Sequence, residues 1–164
     1  MRRRIILLGL AMMLIATSAD AREALGIYDR WGAFRDDGPR RCFAISTPVD
    51  APVNARQRAF ASIATWPGQR ARGQLHIRLS QPRNARAQVT LSIGERRFAL
   101  VAGDSDAWAS DSRTDTAIVS AIRSSRSMSV EALGQSGRPF ADVYTLRGAA
   151  TAIDAAALGC VGRS

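Results

Sequence analysis

The 164-residue chain has no lysine, a single histidine and only two cysteines; all 23 of its cationic residues are arginine. Without lysine there is no Walker-A phosphate clamp, no Schiff base and no Ser-Lys dyad. One His and two Cys fall short of the three or four N/S ligands of an ordinary zinc site unless carboxylates are recruited. Aromatic residues make up only 6% of the chain. The one long apolar run, residues 5–16, is too short to span a bilayer, which takes about 20 residues. These absences exclude most enzyme classes, and no cofactor or metal is expected.

The amino terminus has a clear pattern. Met1-Arg2-Arg3-Arg4 precedes the apolar run, and Ala19 and Ala21 then occupy an A-x-A spacing. That is the order of a secretory signal peptide, and it predicts cleavage after Ala21 and a periplasmic, secreted or cell-surface location. Cleavage removes three of the 23 Arg and one of the 14 acidic residues, leaving residues 22–164 with a net charge of +7. A chain of that length supports one domain with a real core. In an oxidising compartment an even cysteine count reads as a disulfide, here Cys42 to Cys160.

Along the mature chain the apolar period is mostly two. Residues 74–80 alternate Leu75, Ile77 and Leu79 with polar neighbours, and residues 87–93 do the same with Val89, Leu91 and Ile93. Further strands are expected at 27–34, 41–46, 59–66, 97–102, 128–133 and 141–147. Ser112-Arg113-Thr114-Asp115 fits a capping box opening a helix, and the Ala-rich stretch 149–158 predicts a second helix stopped by Gly159. About eight one-sided strands and two short helices point to an all-β, sandwich-like domain.

Several segments together carry a resemblance. They are Trp31-Gly32-Ala33-Phe34, Cys42-Phe43-Ala44-Ile45-Ser46-Thr47-Pro48, Ile93-Gly94 with Phe98, and Ala107-Trp108. Asp142-Val143-Tyr144-Thr145-Leu146-Arg147-Gly148, Ala152 and Cys160 complete the series. In this order the chain resembles the invasion-associated locus B family of exported α-proteobacterial proteins. The resemblance implies a β-rich envelope or surface protein linked to host-cell interaction, and it supplies no catalytic residues.

Three chemistries compete for the remaining polar residues. Gly103-Asp104-Ser105-Asp106 follows a strand as in GDSL-type hydrolases, but a nucleophilic Ser105 would need His76, the lone histidine, as its base. Asp104, Asp106 and Asp111 lack the Gly and the twelfth-position Glu of an EF-hand. The third is charge. Seven arginines, from Arg70 to Arg97, face only Glu95, giving +6 in 28 residues. If 74–80 and 87–93 form a hairpin, His76 and Arg78 share its polar face and Arg83 and Arg86 sit at its tip. Such an array suits bidentate contact with an anionic glycolipid, peptidoglycan or another anionic envelope or host-surface component. Aromatic residues do not interleave the run, which argues against nucleic acid. Arginine replaces lysine throughout the chain, so compositional bias accounts for the run as well. Trp31, Trp66 and Trp108 read as core or loop anchors. The expectation is a binding protein and not an enzyme.

Overall fold

The computed structural model describes residues 22–51 and 57–161. The expected signal peptide, residues 1–21, lies outside the described residues. The alternation in the sequence resolves into ten strands: β1 (Glu23–Tyr28), β2 (Trp31–Asp37), β3 (Arg40–Ser46), β4 (Phe60–Trp66), β5 (Ala71–Arg78), β6 (Val89–Ile93), β7 (Arg96–Ala102), β8 (Asp106–Trp108), β9 (Ser127–Leu133) and β10 (Pro139–Thr145). Two helices join them, α1 (Ser112–Ser124) and α2 (Ala149–Gly159). The protein is all-β with two short helices, with ten strands among the described residues against the eight expected.

All ten strands bond antiparallel into one sheet, in the order β1-β2-β3-β4-β5-β8-β7-β6-β9-β10. The sheet curls until its last strand meets its beginning. The Trp31 indole N–H donates to the Thr145 carbonyl at 2.8 Å. The Val49 amide donates to the Val143 carbonyl at 2.8 Å, and the Ser80 amide to Asp142 Oδ2 at 2.9 Å. The inward faces of both halves therefore share one core, with Trp31, Leu75, Ile77, Leu91, Val130 and Tyr144 all buried in it.

Three expectations need correcting. Residues 74–80 and 87–93 do not pair: β5 lies between β4 and β8, and β6 between β7 and β9. The second edge of β5 is taken by the three-residue β8, which is too short to register as an alternation. The stretch 27–34 is not one strand. It is split by a turn at Asp29, whose φ of 58° lies in the left-handed region that Asn and Asp tolerate better than most residues. The cap of α1 falls one residue earlier than the capping box suggests. Extended Asp111 accepts the Thr114 amide at 2.7 Å, and that bond holds its carboxyl below the usual range.

The helices seal the inner face. α1 packs on β5, where buried Asp115 accepts the Leu75 amide at 2.8 Å. α2 lies over β1–β4 on Ala149, Ala152, Ile153 and Ala156, small side chains that let helix and sheet approach closely. It starts at Gly148, φ 80°, where a Cβ would collide with the Tyr28 carbonyl. It ends at the Cys42–Cys160 disulfide, which ties β3 to the far end of the helix.

Candidate functional site

Cys42 points inward to α2, so Phe43 and its register partners point outward on the opposite, uncovered face of the sheet. One unbroken cross-strand row crosses that face: Ile27, Gly32, Ile45, Ser62, His76, Trp108 and Val101. At its far end Trp108 is 37% exposed and Val101 58%. His76 and Trp108 stand parallel, with centroids 5.4 Å apart and planes 5° from each other, and Phe60 meets His76 edge-on at 5.0 Å. The adjacent row holds Phe60, Arg78 and Asp106. Asp106 Oδ1 accepts Arg78 Nε at 2.7 Å and lies 2.7 Å from His76 Nε2. Both Nη groups of Arg78 are without a protein partner among the described residues.

His76 and Arg78 lie on one face of β5, on a strand between β4 and β8 and not on a hairpin. Arg83 and Arg86 do not join them. The Arg83 Nε donates to the Gly103 carbonyl at 2.6 Å and its Nη2 to the Ala102 carbonyl at 2.8 Å. Its Nη1 lies within 2.9 Å of the carbonyls of Asn84, Ala85 and Ala87. A guanidinium so occupied knots the 79–88 segment to the end of β7 and has no fork left for a ligand. Arg86 is exposed in the same segment. Arg96 is spent on the Ala117 carbonyl and the Phe98 ring, and Arg97 lies 3.9 Å from Glu131.

Nor do the other chemistries assemble. The Ser105 carbonyl accepts the Leu79 amide at 2.8 Å, and among the described residues no hydrogen bond links Ser105 to His76. Of the three acidic residues weighed for calcium, Asp111 caps α1 and Asp106 is shared by Arg78 and His76.

Two features escaped sequence reasoning. At the other end of the outer face, Arg22 and Arg41 share Asp36 and lie over aromatic rings. Arg22 is 5.0 Å from the Phe43 centroid, and Arg41 is 4.6 Å from Phe43 and 5.3 Å from Trp66. The Arg22 hydrogen bond, with help from Arg41, holds the Asp36 carboxyl below its ordinary range. The two guanidinium groups cover the Phe43 ring, which is buried, so this end of the face presents arginine held over aromatic surface. The signal was available in Phe34 and Phe43, which occupy the outward phase of β2 and β3.

The second feature lies at the seam where β10 meets the β3–β4 connection and the end of β5. There a cleft of about 560 Å3 is bordered by Pro48, Asp50, Gln57, Arg58, Ser80 and Asp142, among others. Asp142 is 4% exposed. Burial pushes its carboxyl above the ordinary range, against the lowering effect of the hydrogen bonds from Ser80. In the sequence, Asp142 shares its phase with Tyr144 and Leu146, so a carboxylate on an apolar face was the legible clue.

No protein-family model matches the chain, and no curated protein matches it. Among solved structures, the crystal structure of invasion associated protein B from Bartonella henselae matches with a TM-score of 0.58, over 82% of this chain and 96% of that one. The fold is that of invasion associated protein B. Sequence identity between the two is 14%, so the likeness to invasion associated protein B is one of architecture.

Proposed function

We propose that the protein is an exported envelope or surface protein of the invasion-associated locus B type, acting by binding an anionic envelope or host-surface component and not by turnover. The observation that carries the reading is the uncovered sheet face. It combines an exposed Trp108–Val101 end, the free Nη groups of Arg78, and arginines layered on Phe43 and Trp66. Arginine forks suit phosphate and carboxylate, and an aromatic ladder beside them adds apolar contact. The Cys42–Cys160 bond fits an oxidising compartment. Among the described residues no helix is long and apolar enough to cross a membrane. Turnover is disfavoured because His76 faces Asp106 and Arg78, and among the described residues no nucleophile is hydrogen-bonded to it.

The test is retention of the mature protein on phosphatidylglycerol vesicles against phosphatidylcholine vesicles. Binding to the anionic vesicles should weaken as salt rises from about 0.05 to 0.5 M, because the Debye length shrinks well below 10 Å. The Arg78→Ala, Trp108→Ala double variant should bind about ten-fold more weakly, as the loss of one charged contact and one aromatic contact implies. Retention that ignores both salt and the double substitution would remove the outer face from the account. Hydrolytic activity abolished by His76→Ala would overturn the non-enzymatic reading.

A further inference from the structure

The seam cleft lies apart from the outer face. Its floor is β10, its walls are the residues that follow β3 and β5, and Arg58 stands at its rim. Among the described residues no cation is paired with Asp142, which is held by Ser80 alone, through its backbone amide to Oδ2 and through its side chain. Asp50 supplies a second carboxylate at the exposed rim, against the guanidinium of Arg58 among the described residues. In a chain of net charge +9, the described lining carries two carboxyls against one guanidinium. A buried carboxylate without a cationic partner is costly, and a bound cation relieves that cost.

The cation that fits is not a metal. Asp142 is the one buried carboxylate here, whereas hard divalent ions need six or more oxygen ligands, and no group of three potential ligands occurs among the described residues. The rest of the lining is neutral and mixed. Ser80, Gln81 and Thr47 bring hydroxyl and amide groups, and Pro48, Ala59 and Val143 bring apolar surface. That pairing suits a body with hydroxyls around its edge and C–H faces between them, and the volume lies within the range of small-ligand pockets. We propose that the seam cleft binds a small hydroxylated ligand carrying a primary ammonium group, of the amino-sugar class, with the ammonium on Asp142.

The experiment is calorimetric titration of the disulfide-bonded protein with D-glucosamine and with N-acetyl-D-glucosamine, which share a ring but differ in the ammonium. Glucosamine should bind about ten-fold more tightly, the yield of one charge-assisted hydrogen bond. Asp142→Asn keeps an oxygen for the Ser80 amide and removes the charge, so it should erase the difference. Arg58→Ala removes the opposing cation and should raise glucosamine affinity about two- to five-fold. If Asp142→Asn fails to fold, the exposed Asp50→Asn asks the same question, with an expected loss of about two- to three-fold. Absent or equal binding of the two sugars by the unaltered protein overturns the proposal, and so does a preference for glucosamine that survives Asp142→Asn. Vesicle retention is read separately, so failure here leaves the outer-face reading standing, and the reverse holds too.

Discussion

Reducing the Cys42–Cys160 bond changes connectivity without changing one side chain, so its effect can be worked out in advance. The bonded residues are 118 apart in sequence, and the loop they close contains everything from β3 to the end of α2. For a loop that long, restoring the freedom of the unfolded chain destabilises the fold by about 4–5 kcal/mol in the chain-entropy model, where about 2–4 is typical of measured bonds. Cys42 is fully buried, and its thiol remains an apolar group, so reduction adds no cost from burying new polarity. With a mid-range urea slope of about 2 kcal/mol/M, the unfolding midpoint should fall by about 1–2.5 M. The slope should also rise, because the reduced denatured state is less compact and exposes more surface. The assay is urea unfolding followed by tryptophan fluorescence, with and without dithiothreitol, and with alkylation to count thiols. A midpoint shift below about 0.5 M would refute the loop-closure reasoning. Two alkylatable thiols in the native protein would refute the bond itself.

Two further outcomes follow from particular side chains. Arg83→Lys should lower stability by about 2 kcal/mol, since a single ammonium cannot reach the carbonyls that the guanidinium spans, while the exposed Arg86→Lys should shift the midpoint by less than about 0.5 kcal/mol. Stability should also depend on pH in a definite direction. Burial raises the Asp142 and Asp115 carboxyls above their unfolded values, so the folded state holds their protons more tightly. Their contribution is therefore complete below the unfolded pKa of about 4 and is lost as pH rises through the folded values. Asp36, Asp111 and Asp154 are shifted the other way by their hydrogen bonds, and their contribution is lost as pH falls below about 4. Urea midpoints should accordingly be higher under mildly acidic than neutral conditions and fall in stronger acid. A midpoint in Asp142→Asn with the same acid-to-neutral slope as the unaltered protein would show that burial of this carboxyl does not set the trend.

What the sequence made legible was governed by length and by partner type. β6 matches its alternation residue for residue, with Val89, Leu91 and Ile93 buried and Thr90 and Ser92 between them. α2 ends where Gly159 predicts. The disulfide is formed by the pair that composition and compartment selected. By contrast, three residues of β8 are too few to display a period, and missing that strand misplaced the neighbours of both β5 and β6. The turn at Asp29 carries neither Gly nor Pro, and a lone Asp inside an apolar stretch was too weak a turn signal to divide it. Arg83 shows the deeper difficulty. Its acceptors are backbone carbonyls, which every residue possesses, so no side-chain pattern could separate a half-buried fastening from a solvated charge. The candidate site was half legible for the same reason: His76 and Arg78 share a phase, but Trp108, Phe60 and Asp106 reach them only through long-range strand order.

The seam has a kinetic consequence. The bonds that draw the sheet shut join residues as far apart as Trp31 and Thr145, or Ser80 and Asp142, with separations of 114 and 62 positions. The cover over β1–β4 is α2, which follows all ten strands in the chain. The first four strands therefore emerge from the ribosome with the side that α2 covers still bare, and Trp31 gains its bond to Thr145 only after β10 has followed. Topologies closed by distant partners fold slowly, because loop entropy must be lost before any contact compensates for it. Such a sheet closes on itself only after β10 and α2 have both been made.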